Sequence, residues 1–374
     1  MTLRRGLAAG LAALAAWAAF SAAPMCAQGT QGPIAPKPGT TVQKAPEGAI
    51  RVKVALVNAP VAVHDAKGEL VLDLEQKDFH VLDNGIAQNI ESFDLGSEPL
   101  SAVLVFETSS RIAPLLPAVQ KSAIVFTQTV IGPSGDAAVL AYDDTVDHLL
   151  PFTGDRDQIE KTITSLKPGT SGARLYDALT TAVGLLRDRP PSRRRVIIVV
   201  AEARDSGSEE KLGAVLREAQ LSNIVIYSVG LSTTAAALRS PSAQSGPIQA
   251  TPPGTFGRPP IPGTAQTPTS EEQRDGNINL LALAVWAVQH ATAVVKDRPL
   301  EVATVATGGM YQSTFRDRSI ENAVDAIGGE LNAQYTLTYR PTGAEAAGFH
   351  QIKVAVDRPG VKVRTRPGYY IAEK

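Results

Sequence analysis

The chain has 374 residues, a length that predicts two to three domains, and its 44% of hydrophobic residues can bury a sizeable core. The 36 Lys and Arg residues nearly balance the 37 Asp and Glu residues, which leaves a formal charge of -1 and argues against a nucleic-acid binder. The single cysteine, Cys26, excludes an internal disulfide and a cysteine-based metal site within this chain.

The first residues predict a secretory signal peptide over residues 1–27. Two arginines precede an apolar run from Gly6 to Ala23, and small residues follow it, as in signals for Sec export. Cleavage is expected after Ala27. Lipidation of Cys26 and an uncleaved anchor at the short limit for a spanning helix remain open as alternatives. The prediction is an exported protein of the periplasm, the cell surface or the medium.

Two short segments follow the signal. Residues 28–48 are rich in Gly, Pro, Thr and Lys, and they predict a flexible linker. Residues 49–97 predict a small β unit, because hydrophobic and polar residues alternate along much of this segment. Within it, Asn84-Gly85 is typical of a type I′ hairpin turn.

Residues 98–315 alternate short apolar runs with segments of helical spacing. The apolar runs predict four strands buried on both faces, namely Ala102–Phe106, Ala137–Tyr142, Val196–Val200 and Ile224–Val229. Ser206 and Glu209 are predicted to form a capping box for the helix that follows them. This order is typical of a doubly wound, mostly parallel α/β sheet, whose ligands bind at the carboxyl ends of the strands.

The remaining segments differ in character. Residues 235–276, dense in Pro, Ser, Gly, Thr and Gln, predict a disordered insertion of approximately those limits. Ile278–Val295 predicts a buried helix, with a membrane span as the alternative. Residues 316–374 predict a helix followed by strands. Because neither terminal set of strands can bury a stable core alone, we expect the N- and C-terminal strands to pack together as an accessory β-rich unit.

Several short motifs resemble those of an exported bacterial family related to the von Willebrand factor A (VWA) domain, of the type best known from acidobacteria. The motifs are Phe79–Gly85, Leu175–Leu179, Ile226–Leu231, Ala306–Tyr311, Gln334–Pro341 and Val361–Tyr370. They are spread over nearly all of the chain that follows the signal. The resemblance implies a Rossmann-like VWA fold over residues 98–315.

The resemblance also implies a Mg²⁺ or Mn²⁺ site at the top of the sheet, built in the family from an Asp-x-Ser-x-Ser loop, a Thr and a later Asp. Here Glu107 stands in for the first Asp, Ser109 is kept, and Arg111 takes the second Ser position. Ala173 replaces the Thr, and Glu202 replaces the later Asp. Each Glu adds a methylene to a site that tolerates little displacement. Arg111 is expected to pair with Glu107 or Glu202 in place of the ion.

The sequence therefore predicts an exported, non-enzymatic adhesion or scaffolding protein with a degenerate metal-ion-dependent adhesion site. Its partner would be a protein of the cell envelope or outside the cell, and no nucleic acid or small-molecule cofactor is expected. The predicted contact residues are Glu107, Ser109, Arg111, Arg174, Glu202 and Asp205. The alternative is a divalent-metal-dependent binding module of an extracytoplasmic sensor or assembly factor, with Glu107, Ser109 and Glu202 as ligands.

Overall fold

The computed structural model describes residues 56–96, 98–232, 280–292, 295, 298–314, 318–342 and 347–371. The predicted signal peptide over residues 1–27, the linker over residues 28–48 and the insertion over about residues 235–276 lie outside these ranges.

The described chain opens with four strands, β1 (Val57–His64), β2 (Phe79–Asp83), β3 (Ile86–Gln88) and β4 (Ile90–Leu95). A short 3-10 turn at Gln76–Asp78 precedes β2. The β2–β3 connection consists of Asn84 and Gly85, with φ of 47° and 84°. Positive φ at both central residues is the requirement of a type I′ turn, so the predicted hairpin is confirmed.

A six-stranded sheet follows, formed by β5 (Leu100–Glu107), β6 (Asp136–Tyr142), β7 (Val146–Thr153), β8 (Arg194–Ala201), β9 (Ile224–Leu231) and β10 (Tyr311–Thr314). The strand order is β10-β9-β8-β5-β6-β7, and all neighbours are parallel except β6 and β7. The four predicted strands coincide with β5, β6, β8 and β9 to within two residues at each end. The predicted mostly parallel α/β sheet is therefore confirmed.

Helices cover both faces of this sheet. They are α1 (Leu116–Lys121), α2 (Ala123–Val125) continued by a π-helical turn (Phe126–Ile131), α3 (Arg156–Thr164), α4 (Leu175–Arg187), α5 (Leu212–Leu221), α6 (Leu280–Gln289), α7 (Pro299–Thr307) and α8 (Arg318–Ala333). Apolar side chains of α4 to α7 form one buried cluster with the sheet, and those of α1 to α3 and α8 form another on the opposite face. Alternate residues of β5 enter the two clusters, as expected for a strand that is buried on both faces.

The last strands are β11 (Tyr335–Tyr339), β12 (Gly348–Val356), β13 (Lys362–Thr365) and β14 (Gly368–Ile371). They join the first four in two antiparallel sheets of order β13-β1-β11-β4 and β14-β12-β2-β3. One shared apolar cluster lies between these sheets, with Tyr335, Tyr339 and Phe79 among its members. The terminal strands therefore pack together as predicted, and they form a β-sandwich.

Helix α8 differs in its surroundings from what the sequence suggests, whereas α6 is buried as predicted. Residues 316–374 were grouped as one C-terminal segment, yet Ile320, Val324, Ile327 and Leu331 of α8 are buried in the core of the central sheet. The segment Ile278–Val295 contributes the ten-residue helix α6, whose apolar side chains enter the opposite cluster. Among the described residues, no helix is long and apolar enough to cross a membrane.

Candidate functional site

The carboxyl ends of β5 and β8 lie side by side in the central sheet. From β5 the chain continues to β6 on one side, whereas from β8 it continues to β9 on the other. Parallel α/β sheets bind their ligands at such a switch point, beyond the carboxyl ends of the strands. Glu107 is the last residue of β5, and Glu202 directly follows β8.

Arg111 connects these two glutamates. Its Nη2 donates to Oε1 of Glu107 over 3.3 Å, and its Nε lies 3.1 Å from Oε2 of Glu202. The Nε–H is not directed at the Glu202 oxygen, so that contact is an ion pair without a hydrogen bond. Glu107 also accepts hydrogen bonds from Ser109 Oγ at 2.5 Å and from the Glu202 backbone N–H at 2.7 Å. The guanidinium therefore lies between carboxylates from two strand ends and offsets part of their negative charge.

Burial sets the proton affinity of the Glu107 carboxyl. The residue is only 1% exposed, and this loss of solvent raises its pKa above the ordinary value of 4.5. The hydrogen bonds from Ser109 and the Glu202 backbone and the charge of Arg111 each lower the pKa, but they do not cancel the effect of burial. The charged form of Glu107 is thus supported first by the hydrogen bonds from Ser109 and the Glu202 backbone, and then by the charge of Arg111.

Tyr142 is a member of this site that sequence reasoning missed. It is the last residue of β6, it is 1% exposed, and its hydroxyl has no hydrogen-bond partner within the described structure. Burial raises the pKa of Tyr142 well above its ordinary value, and the negative charges of Glu107 and Asp205 raise it further. Its position could have indicated membership of the site, because Tyr142 places a polar group at the carboxyl end of a predicted buried strand, next to the end of β5.

Asp205 lies in a neighbouring network at the start of α4. Its Oδ1 accepts from Ser208 Oγ at 2.6 Å and from the Tyr176 backbone N–H at 3.2 Å. Ser208 Oγ also accepts from the Tyr176 backbone N–H at 3.1 Å. The loop after β8 thus supplies oxygens to the free N–H groups at the beginning of α4.

Arg174 holds the same loop from the other side. Its Nε donates to the Gly207 carbonyl over 2.9 Å, and its Nη2 donates to Glu209 over 3.0 Å. The Glu209 backbone N–H donates to the carboxylate of Asp177 on α4. The predicted capping box of Ser206 and Glu209 is therefore wrong, since α5 begins after Lys211 with no side-chain cap.

The structure brings the six predicted contact residues to one edge of the sheet, but they differ in exposure. Glu107 and Ser109 are buried, at 1% and 0% exposed, because their side chains point back toward β8 and toward each other. Glu107 contacts Arg111, and Ser109 contacts Glu107, so both support the edge from within. Their role as partner contacts stays a prediction. Arg111, Arg174, Glu202 and Asp205 remain partly exposed.

The donor set does not suit a divalent cation. Arg111 already lies within 3.3 Å of an oxygen of each glutamate, so an ion that bound both carboxylates would face a fixed positive charge. Ala173 offers no side-chain oxygen, and its backbone N–H and C=O are paired with Ser206. Among the described residues, no group of three or more His, Cys, Asp or Glu side chains is arranged to hold a metal.

Comparison with known proteins finds one family match, in the central part of the chain. Residues 104–204 match the family model of the von Willebrand factor type A domain. No significant match was found among curated protein sequences.

Three solved structures that resemble this chain do so at low sequence identity and with low TM-scores. An aerotolerance-related membrane protein of Bacteroides fragilis, crystallised with multiple mutations to serines, is 16% identical with a TM-score of 0.37; the match covers 62% of this chain and 99% of that one. The conserved hypothetical protein BatB of Bacteroides thetaiotaomicron is 16% identical with a TM-score of 0.38, over 62% and 98% of the two chains. The SpRpn10 VWA domain is 11% identical with a TM-score of 0.35, over 60% and 93%.

Proposed function

Given a von Willebrand factor type A domain in the middle of the chain, we propose that this protein is an exported, non-enzymatic protein that binds a protein partner through the carboxyl edge of the central sheet. Domains of this family are in general interaction modules and not enzymes. The binding surface, called the β5/β8 edge surface, consists of Ser110, Arg111, Arg174, Glu202, Arg204 and Asp205.

The observation that carries this proposal is the position of Arg111 between Glu107 and Glu202. By resemblance to VWA domains, the ends of β5 and β8 supply the ligands of an ion that partners contact. Here a guanidinium lies between the two carboxylates, and its side chain stays accessible, at 20% exposed. We therefore assign the edge a metal-independent form of recognition, in which Arg111 supplies the positive charge that an ion supplies elsewhere in the family.

The composition of the β5/β8 edge surface indicates what kind of partner it fits. It contains three arginines and two acidic residues, and Arg204 and Ser110 are its most exposed members. A surface of this kind provides charge complementarity and hydrogen bonds with little apolar area, so it fits a polar partner of mixed charge. Binding is expected to weaken as the salt concentration rises.

The same contacts argue against an enzyme at this edge. The hydroxyl of Ser109 donates a hydrogen bond to Glu107. Both carboxylate oxygens of Glu107 already accept hydrogen bonds, one from Ser109 and Arg111 and the other from the Glu202 backbone N–H. A general base needs a free, positioned acceptor near a reacting group, and a paired, buried carboxylate does not supply one. The Ser109–Glu107 pair is buried, at 0% and 1% exposed, and is not open to a substrate, which supports a binding function.

Export is part of the proposal and is supported by the pattern of residues 1–27. Cell fractionation with a C-terminally tagged chain tests it. We expect the tag in the envelope or the medium. The tagged product is expected to be shorter than the full chain by the length of the predicted signal peptide. A full-length product in the cytoplasm would contradict export without bearing on the partner surface.

The partner surface is tested by cross-linking the purified mature chain to envelope extract of its source organism. We expect Arg204→Glu and the double variant Arg111→Ala/Glu202→Ala to lose partners that the wild type captures. Arg156→Glu is the matched control, because Arg156 is exposed at the start of α3, after β7 has returned to the opposite edge of the sheet. Identical partners for all four proteins would contradict the assignment, and capture abolished by EDTA and restored by Mg²⁺ would favour the metal-dependent alternative.

A further inference from the structure

A histidine and an aspartate are buried side by side in the β-sandwich. His350 on β12 is 4% exposed, and Asp83, the last residue of β2, is 2% exposed. Nδ1 of His350 lies 3.4 Å from Oδ1 of Asp83. Histidine ordinarily changes its charge between about pH 5 and 8, so a buried histidine beside a carboxylate can form a contact that depends on pH.

The side-chain amide of Asn84 indicates where neutral His350 carries its proton. Oδ1 of Asn84 accepts from the backbone N–H of Gln351 at 2.9 Å, and this bond orients the amide. Nδ2 of Asn84 then lies 3.1 Å from Nδ1 of His350. Because an amide NH₂ group only donates, Nδ1 is the acceptor and the proton of the neutral ring is on Nε2. In this form Nδ1 does not donate to Asp83.

Protonation of His350 changes Nδ1 from an acceptor into a donor. The charged ring donates from both nitrogens, so it can no longer accept from Asn84. An acceptor, Oδ1 of Asp83, lies 3.4 Å away. A hydrogen bond between charged groups is shorter and stronger than one between neutral groups. The charged ring is therefore expected to bond to Asp83 and to release Asn84.

Three other ionisable side chains of described residues belong to this network. The hydroxyls of Tyr339 on β11 and Tyr369 on β14 donate to Oδ2 of Asp83 at 3.0 Å and 2.7 Å, which leaves Oδ1 for His350. Burial raises the pKa of both tyrosines, so they remain donors at neutral and acidic pH. Arg366 lies 5.9 Å from the Tyr369 ring, and burial lowers its pKa to about 10, so it is charged at neutral pH. Its charge opposes a second positive charge on His350, whereas Asp83 favours one.

Asn84 connects this network to the backbone of the β2–β3 turn. Its φ of 47° is left-handed, which is uncommon for a residue other than glycine, and its two side-chain bonds tie the turn to β12. We propose that His350 is a pH-sensitive latch of the β2–β3 hairpin: the neutral ring holds the turn through Asn84, and the protonated ring bonds to Asp83 and frees it. The latch is independent of the proposed function at the β5/β8 edge surface, so either proposal can fail alone.

Nuclear magnetic resonance of the purified mature chain, labelled with ¹⁵N, tests the exchange of partners. The His350→Gln variant identifies the ring signals of His350 by their loss. We expect the neutral ring to carry its proton on Nε2 and the charged ring to carry protons on both nitrogens. The side-chain amide signals of Asn84 are expected to shift with the same midpoint as the ring.

Hydrogen exchange measures the release of the hairpin. After correction for the direct effect of pH on exchange, the backbone amides of residues 84–88 are expected to exchange about three- to tenfold faster at about pH 5.5 than at about pH 7.5, the factor that corresponds to one lost hydrogen bond. His350→Gln can accept from Asn84 but does not titrate, so it is expected to show no such change. Asp83→Asn removes the charge that draws the ring away, so a smaller change is expected.

His80→Gln is the matched control, because His80 also lies in this sheet but is exposed and pairs with Asp357 at the surface. It is expected to behave as the wild type does. Three results would overturn the latch: a neutral His350 ring with its proton on Nδ1, a ring that does not change its charge between about pH 5 and 8, and an equal rise of hairpin exchange in His350→Gln. The wild type alone decides the first two, so the test does not depend on the folding of a variant.

Discussion

At the scale of single residues, Arg111 holds together the ends of two strands. Its guanidinium is the positive group beside Glu107, which is almost fully buried. Removing one partner of a buried ion pair costs more than the pair contributes, because the other charge stays buried without compensation. Arg111 therefore matters for the stability of the sheet edge as well as for partner recognition.

We expect Arg111→Ala to lower the free energy of unfolding by about 3 kcal/mol, the lower end of the range for such pairs, since Arg111 is one-fifth exposed. Urea unfolding of the purified chain measures this loss. The double variant Glu107→Gln/Arg111→Met is expected to recover more than half of it, because residue 107 then carries no buried charge. A double variant as unstable as the single one would show that lost packing, and not the ion pair, explains the loss.

The raised pKa of Glu107 predicts a definite pH dependence. The folded state holds this proton more tightly than the unfolded state, so the contribution of Glu107 to stability is greatest below pH 4.5 and declines as the pH rises through the folded pKa. Each tenfold difference in proton affinity between the two states is worth about 1.4 kcal/mol.

Compared with Glu107→Gln, the wild type is therefore expected to gain stability as the pH is lowered from about 7.5 to about 5, since only the wild type takes up this proton. Urea unfolding at both pH values measures the difference. In Arg111→Ala the gain is expected to be larger, because Arg111 lowers the pKa of Glu107. Parallel pH profiles of wild type and Glu107→Gln would contradict the assigned pKa direction.

The sequence identified which residues meet at this edge but not how each is used. The succession of Glu107, Ser109 and Arg111 after one buried strand and Glu202 after another was sufficient to bring them together. Their burial depends on the distance between β5 and β8 and on side-chain directions that only tertiary packing decides. For the same reason Tyr142 was missed, although its strand was predicted.

At the scale of secondary-structure elements, prediction succeeded where the apolar pattern was strong. Strands β5, β6, β8 and β9 are buried on both faces and read as continuous apolar runs. The edge strand β7 has no buried residue and contains Pro151, so its pattern is weak. Helix α3 was also missed, because only Ile159 and Ile163 are buried on it. Asp155 as its N-cap, bonded to Gln158, was a local signal for its start.

The pairing of the terminal strands could be expected only in outline. Neither the N-terminal nor the C-terminal strands can bury a stable core alone, so the two sets were expected to pack against each other. They do so in the sandwich. Which strand lies next to which was not determined by the alternation of residues, because that pattern fixes the face of a strand and not its neighbour. The order β13-β1-β11-β4 follows from packing across the whole molecule.

One element contact joins the central domain to the sandwich through a buried carboxylate and a partly exposed arginine. Glu330 on α8 is 1% exposed, and it pairs with Arg364 on β13. Arg364→Leu is expected to cost about 3 kcal/mol in urea unfolding, because it leaves Glu330 buried without its partner. Glu330→Leu/Arg364→Leu is expected to be more stable than this single variant, since both charges are removed.

The matched control for this pair is Arg340→Leu, which breaks the exposed pair of Arg340 with Glu91. An exposed ion pair contributes little, so this change is expected to cost less than about 1 kcal/mol. Equal losses for Arg364→Leu and Arg340→Leu would mean that burial of Glu330 is not what makes its pair important.

At the scale of the whole molecule, the two ends of the described chain meet. Strands β1 to β4 and β11 to β14 build the sandwich, so the central domain is inserted between its two halves. Contacts between residues far apart in sequence slow folding, because the intervening chain must close first. Helix α8 bridges the two parts, since it belongs to the core of the central sheet and leads directly into β11.

This arrangement predicts where the central domain ends. A fragment of residues 98–315 lacks α8 and with it Ile320, Val324, Ile327 and Leu331, all buried in the central core. Burial of each such side chain contributes about 1.5–3 kcal/mol to the free energy of unfolding, or about 6–12 kcal/mol for the four together. This sum is comparable with the free energy of unfolding of a typical domain, about 5–15 kcal/mol. We therefore expect this fragment not to fold, as judged by circular dichroism and the absence of a cooperative urea transition.

A fragment of residues 98–333 retains α8 and is expected to unfold cooperatively, at a lower urea concentration than the full chain because the contacts with the sandwich are gone. The pair of fragments isolates the helix, since they differ only in residues 316–333. If the shorter fragment unfolds with the same midpoint as the longer one, α8 contributes nothing to the central core, and its burial there would need another explanation. If neither folds, the sandwich is required as well, and the two parts form one cooperative unit.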